Sequence, residues 1–132
     1  MGLGTVCSDS QESDVYTLAP DQQITAGQWM TAATPAKPPI ARGGCAYGVL
    51  ENHAVCAGGE ASSSALPTVD AYDLVAGTWQ SEPNMPAPRA GIQGAVIGTR
   101  LFVPGGAAML TAPITPTDTL FVFSPLDLVS GP

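Results

Sequence analysis

Arg42-Gly43-Gly44, followed by Gly58-Gly59, returns as Arg89-Ala90-Gly91 followed by Gly105-Gly106, both pairs displaced by 47 residues. Trp29 returns at Trp79, 50 residues on, and Val69-Asp70-Ala71-Tyr72-Asp73 is echoed 51 residues on by Leu120-Phe121-Val122-Phe123-Ser124. An earlier echo is Asp14-Val15-Tyr16, with six more residues between Tyr16 and Trp29 than between Tyr72 and Trp79. A period of this size makes each copy one supersecondary unit, which buries its apolar face only by stacking on a neighbour.

Composition decides what that unit is made of. With 15 Gly and 13 Pro in 132 residues and only 11% charged residues, a coiled coil or helix bundle is excluded, because both need charged helix formers and few breakers. An apolar fraction of 45% argues against wholesale disorder. Four short strands fit one period. Residues 44–50 and 53–58 read as a hairpin turning near Glu51-Asn52, and 91–97 with 100–103 repeat it around Gly98-Thr99. A small or polar loop follows each Gly-Gly, over 60–68 and 107–117. The third strand carries Tyr72 or Phe123, the fourth carries the Trp, and Pro-rich connectors at 34–39 and 83–88 return the chain to the next copy.

These residues resemble the kelch repeat: an Arg-Gly opening, an inner hairpin closing in Gly-Gly, an aromatic strand, a spaced Trp and a Met-Pro-x-Pro-Arg lead-in. The second copy matches through Tyr72, Thr78-Trp79, Met85-Pro86-Ala87-Pro88-Arg89 and Leu101-Phe102-Val103-Pro104-Gly105-Gly106. The resemblance covers roughly residues 14–128. It implies an all-β fold, the kelch-type β-propeller, built from four-stranded antiparallel blades in an incomplete ring. Residues 14–41 would then be the outer strands of one blade, 42–82 a complete blade, and 89–132 a truncated one, all within one partial propeller over 1–132. Its structural motif residues are Trp29, Gly58, Gly59, Tyr72, Trp79, Gly105, Gly106 and Phe123. Pro104 departs from the pattern and costs its strand one donor. Propellers close with roughly four to eight blades, and this chain holds little more than two. Bare faces at both ends would cost Trp29, Trp79 and Tyr72 much of their packing, at roughly 1.5–3 kcal/mol per large side chain. The expectation is a piece of a longer propeller whose remaining blades close the ring, or failing that a homo-oligomer.

The net charge of −7, from four Lys+Arg against eleven Asp+Glu, makes the chain acidic and excludes a phosphate grip on nucleic acid. No signal peptide is visible from Met1. The charge-free stretch 101–117 is broken by Pro104, Gly105, Gly106, Pro113 and Pro116, so no membrane insertion is expected. Small residues and Thr lean the chain towards an exported bacterial protein. Cys7, Cys45 and Cys56 form no metal or redox spacing. Cys45 and Cys56 fall on two strands of one hairpin and are either a diagonal disulfide or small buried hydrophobes.

Arg42 and Arg89 have two readings: ties between neighbouring backbone carbonyls, which the resemblance implies, or groups lining a mouth that grip an acidic ligand. The Gly-Gly pairs lack the Lys-Ser/Thr of a phosphate loop. His53, at a turn, reads as a surface residue. It stands alone, so the copper site of the kelch-like galactose oxidase has no counterpart here, and neither metal nor cofactor is expected. Asp70, Asp73 and Glu82 are scattered rather than paired. Ser62, Ser63 and Ser64 have no His and Asp partners and read as a flexible loop tip. The loops 60–67, 107–116, 32–41 and 82–88 open to one face, where binding on a rigid scaffold usually resides. The leading functional reading is a non-catalytic module presenting that face, with Arg42, Arg89 and Ser62–64, to a protein or glycan partner. The alternative is part of a carbohydrate-active kelch-propeller enzyme, galactose oxidase-like or sialic acid epimerase-like, with catalytic residues in other blades.

Overall fold

The computed structural model describes residues 14–17, 28–31, 37–111 and 113–125, and every regular element among them is a β-strand. Asp14–Thr17 (β1) pairs antiparallel with Gln28–Thr31 (β2), in a register that sets Tyr16 opposite Trp29. The repeat is already audible there, because Tyr72 stands opposite Trp79 in the same way further on. Cys7 and the six-residue expansion between Tyr16 and Trp29 lie outside the described residues, as do 32–36 of the first connector.

Ala46–Leu50 (β3) and His53–Ala57 (β4) form the first inner hairpin. Its turn holds Glu51 at φ +52°, and 47 residues on, the matching turn holds Gly98 at φ +61°. Glu60–Ala61 (β5) and Ser64–Ala65 (β6) make a small second hairpin, after which Val69–Asp73 (β7) and Thr78–Glu82 (β8) complete a four-stranded sheet in the order β3-β4-β7-β8. The next copy repeats the scheme. Ala95–Ile97 (β9) and Arg100–Pro104 (β10) are the inner hairpin, Ala107–Met109 (β11) and Thr115–Pro116 (β12) the small one, and Leu120–Phe123 (β13) the third strand, in the order β13-β10-β9.

Two expectations need correction. The loops after each Gly-Gly are themselves hairpins, and Ser62 and Ser63 are not a flexible tip but the turn of one, at φ +49° and +65°. Short ladders there are held by backbone bonds to the lead-in of the next strand, which composition does not reveal. Pro104 does lie in a strand, opposite Leu120, and is exposed.

The core is the seam between the two sheets. Residues directly opposite share a face, so Ala46, Leu50, Val55, Ala57, Val69 and Ala71 point together out of the first sheet. Leu101, Val103, Phe121 and Phe123 meet them from the second, and Met85 and Ile92 close the rim. The sheets come close because Gly48 has no side chain. A Cβ there would lie 2.5 Å from Val96 Cγ2 and 3.0 Å from Leu101 Cδ1. The outward faces are less covered: Tyr47 is 72% exposed on the first sheet and Ile97 65% on the second.

Candidate functional site

Each Gly-Gly pair ends an inner strand in a left-handed backbone, with Gly58 at φ +69° and Gly59 at φ +95°. A Cβ on Gly59 would sit 2.5 Å from the Gly43 carbonyl, so only glycine lets the strand turn back against its own lead-in. That close approach launches the small hairpin. Gly43 and Glu60 exchange both backbone hydrogen bonds at 3.0 and 2.8 Å, and Ala90 and Ala107 do the same at 3.0 Å. The two copies are also tied to one another. Gly59 N–H donates to the Arg89 carbonyl (2.8 Å), Arg89 N–H to the Leu66 carbonyl (3.1 Å), and Met85 N–H to the Pro67 carbonyl (2.8 Å). The loops after Gly-Gly and the segment leading into the next inner strand are thereby fixed at one end of the sheets.

Between the small hairpins lies a groove of about 190 Å³, walled by Ser63, Ser64 and Ala65 on one side and Ala108, Met109, Leu110 and Thr111 on the other. Ser63 and Ser64 are thus brought to a concave surface, with Ser62 beside them in the turn. Residues 108–111 opposite belong to the 107–116 loop that the sequence places on this face, although their contact with the first hairpin is not legible there. The 47-residue displacement, which sets 107 against 60 as equivalent strand starts, is the signal that pairs the two loops. A larger apolar cavity of about 290 Å³ runs along the seam between Met85, Pro86, Val103, Phe121 and Phe123.

Arg42 and Arg89 do not line the groove. The Arg42 side chain is 5% exposed, and its Nη1 donates to the carbonyls of Gly58 (3.1 Å) and Thr68 (3.0 Å) while Nη2 pairs with Asp70 Oδ2. Ser81 Oγ donates to the other Asp70 oxygen at 2.9 Å. Burial pulls the Arg42 guanidinium below its ordinary value, and the Asp70 charge acts in the opposite sense. A fork spent in this way matches the carbonyl tie rather than the ligand grip. Asp70, read from sequence as a scattered acid, is the buried partner that makes the tie.

Arg89 occupies the same slot one copy on, with Phe121 where Asp70 stood. Its guanidinium lies over the Phe121 ring, 4.7 Å from the centroid, while Nη1 donates to Pro88 O at 2.7 Å and Nη2 reaches Thr119 Oγ1 at 3.4 Å. Arg89 is buried, and its Nε has no partner.

At the opposite end of the first sheet, His53 is not the surface residue expected. Its side chain is only 15% exposed, Nδ1 is buried without a partner, and Nε2 is 3.8 Å from Asp73 Oδ2. Asp73 caps its own turn, accepting from Ala76 N–H (2.9 Å) and Val75 N–H (2.7 Å), and these bonds hold its carboxyl below the usual range. Cys45 and Cys56 are joined as a disulfide, Cα atoms 5.9 Å apart, which selects the diagonal bridge over the pair of buried thiols. Among the described residues no three His, Cys, Asp or Glu side chains gather as a metal site, and no helix is long and apolar enough to cross a membrane.

The family model described as the Kelch motif matches residues 41–86, the span from the Arg42 tie through the Tyr72–Trp79 pair to Met85-Pro86. This is a kelch-repeat chain. Kelch-like protein terF from Aspergillus terreus is 34% identical over 102 residues, which cover 74% of this chain and 22% of that protein. The chain therefore spans about a fifth of the length of this curated relative, and its four-stranded and three-stranded sheets are kelch blades of an incomplete propeller.

Proposed function

We propose that this kelch chain is a non-catalytic interaction module that offers the Gly-Gly loop face, and the groove between its two small hairpins, to a protein or glycan partner. One observation carries the reading: two hairpins rising from equivalent points of adjoining blades are locked by main-chain bonds into a rigid concave surface. Rigid presentation lowers the ordering cost of binding. Kelch repeats generally mediate protein interactions, which favours the protein arm.

Ring closure by further, non-identical blades is part of this reading. In a ring of identical copies, the outward face of the second blade would meet the outward face of the first as the two blades meet each other now. Ala95 would then take the place of Gly48, and Val49 that of Val96, by the 47-residue displacement. A Cβ at the Gly48 position comes within 2.5 Å of Val96 Cγ2, so Ala95 would crowd Val49 in the same way. This favours, as the neighbour on that face, a blade with a smaller residue at this point over a second copy.

A photo-crosslinking residue at Thr111, compared with one at the exposed Val75 on the opposite end, tests the loop face. Adducts from Thr111 alone, lost when Met109→Glu is added, are expected. Adducts of equal strength from Val75 would refute the assignment, and a glycan array read with the same variants separates the two partner classes.

A further inference from the structure

We infer that Thr111 and Thr115, on the hairpin of the second blade, are acceptor sites for O-linked glycosylation. Residues 111–119 contain four Thr and two Pro, a density typical of O-glycosylated segments. Proline keeps its neighbours extended and removes a backbone donor, so adjacent hydroxyls stay available to a transferase rather than folding into local hydrogen bonds. The structure adds selection among the four. Thr117 Oγ1 is buried, and Thr119, although exposed, has its Oγ1 engaged as acceptor by Nη2 of the buried Arg89 at 3.4 Å, a contact between distant parts of the chain. Thr111 and Thr115 are exposed, together with Pro113, Ile114 and Pro116, and Thr115 makes only a long bond of 3.4 Å to the Pro113 carbonyl.

The equivalent loop of the first blade shows what is special here. Closure runs from Gly58 N–H to Thr68 O in one copy and from Gly105 N–H to Thr119 O in the other, so the second loop is four residues longer. The first holds Ser62 and Ser63 in a left-handed turn, whereas the longer one carries the Thr-Pro sequence. An independent observation supports an oxidising compartment. Disulfides such as Cys45–Cys56 form and persist mainly under oxidising conditions, as in the secretory route in which sugars are transferred to threonine.

In the reaction the Thr Oγ attacks the anomeric carbon of a sugar activated on a phosphate, nucleotide-linked or polyprenyl-linked. The new C–O bond forms as the bond from sugar to phosphate breaks, the phosphate leaves with the electron pair, and the hydroxyl proton passes to a base of the transferase.

The test is to secrete the full chain from a fungal host and digest it with trypsin. The absence of Lys and Arg after Arg100 leaves residues 101–132 as a single fragment. Hexose increments on that fragment, mapped to Thr111 and Thr115 by electron-transfer fragmentation, are expected. They should vanish in Thr111→Val/Thr115→Val with the near-UV circular dichroism unchanged, and a thiol reagent should fail to label Cys45 and Cys56 before reduction. An unmodified fragment, increments that survive in the double variant, or labelled Cys45 and Cys56 would each overturn the inference.

Discussion

Removing the Asp70 carboxylate should cost this chain more stability than any other single change to an acidic residue. The Arg42 and Asp70 side chains are only 5% and 4% exposed, so the guanidinium would stay largely desolvated if its partner were lost. Breaking one half of a buried pair costs about 3–5 kcal/mol, because the remaining charge stays desolvated. Asp70→Ala also removes the bond from Ser81 Oγ, which as part of an exposed residue can turn to water, while the two bonds from Arg42 to Gly58 O and Thr68 O survive, so a value near the lower end is expected. Asp70→Asn keeps an acceptor for either neighbour and should cost about 1.5–3 kcal/mol, the worth of a charge-assisted hydrogen bond. Urea denaturation followed by Trp fluorescence reads both, since Trp79 lies on the Tyr72 ring at 5.3 Å in the same sheet. Arg42→Met combined with Asp70→Ala should cost much less than the sum of the two single changes, because no charge is then left buried. The reasoning fails if Asp70→Ala stays within 1 kcal/mol of wild type, taking about 1 kcal/mol as the ordinary mutational effect, or if the two losses add.

Three further outcomes follow from the same geometry. Gly48→Ala should destabilise by about 1–3 kcal/mol through overpacking, and Val96→Ala in the same chain should recover most of that; denaturation midpoints of the four-member cycle check the coupling. Glu51→Gly should stabilise by about 1 kcal/mol, since it relieves a left-handed non-glycine residue, whereas the same turn one copy on already has Gly98; a rise in thermal midpoint checks it. Asp73 contributes stability that is fully present above the unfolded carboxyl value of about 3.9 and is lost as pH falls through its depressed folded value. The gap in thermal midpoint between wild type and Asp73→Ala should therefore be open at neutral pH and close at acid pH; an unchanged gap on acidification would count against the cap.

The architecture was legible from the chain alone because a repeat is a statement about neighbours. Arg42 and Arg89, Gly58-Gly59 and Gly105-Gly106, and Tyr72 and Phe123 recur at nearly constant spacing, and a unit that buries itself only by stacking has few alternatives to a blade. The pairing of Tyr72 with Trp79 needed no more than that spacing and a short turn between them. Tertiary structure decided whatever depended on which groups meet across the sequence. Asp70 looked like a stray acid until the third strand laid it against Arg42, 28 residues earlier. Its counterpart Phe121 shows that the same slot is satisfied once by charge and once by a ring, a choice invisible to a pattern that only records an arginine. The small hairpins, and the groove between Ser64 and Met109, arise from backbone bonds between the Gly-Gly turn and the next blade's lead-in, and main-chain partners leave no mark on side-chain composition. The Cys45–Cys56 bridge is of the same kind: spacing allowed it, and only the diagonal register of β3 against β4 brings the two Cα atoms to bonding range.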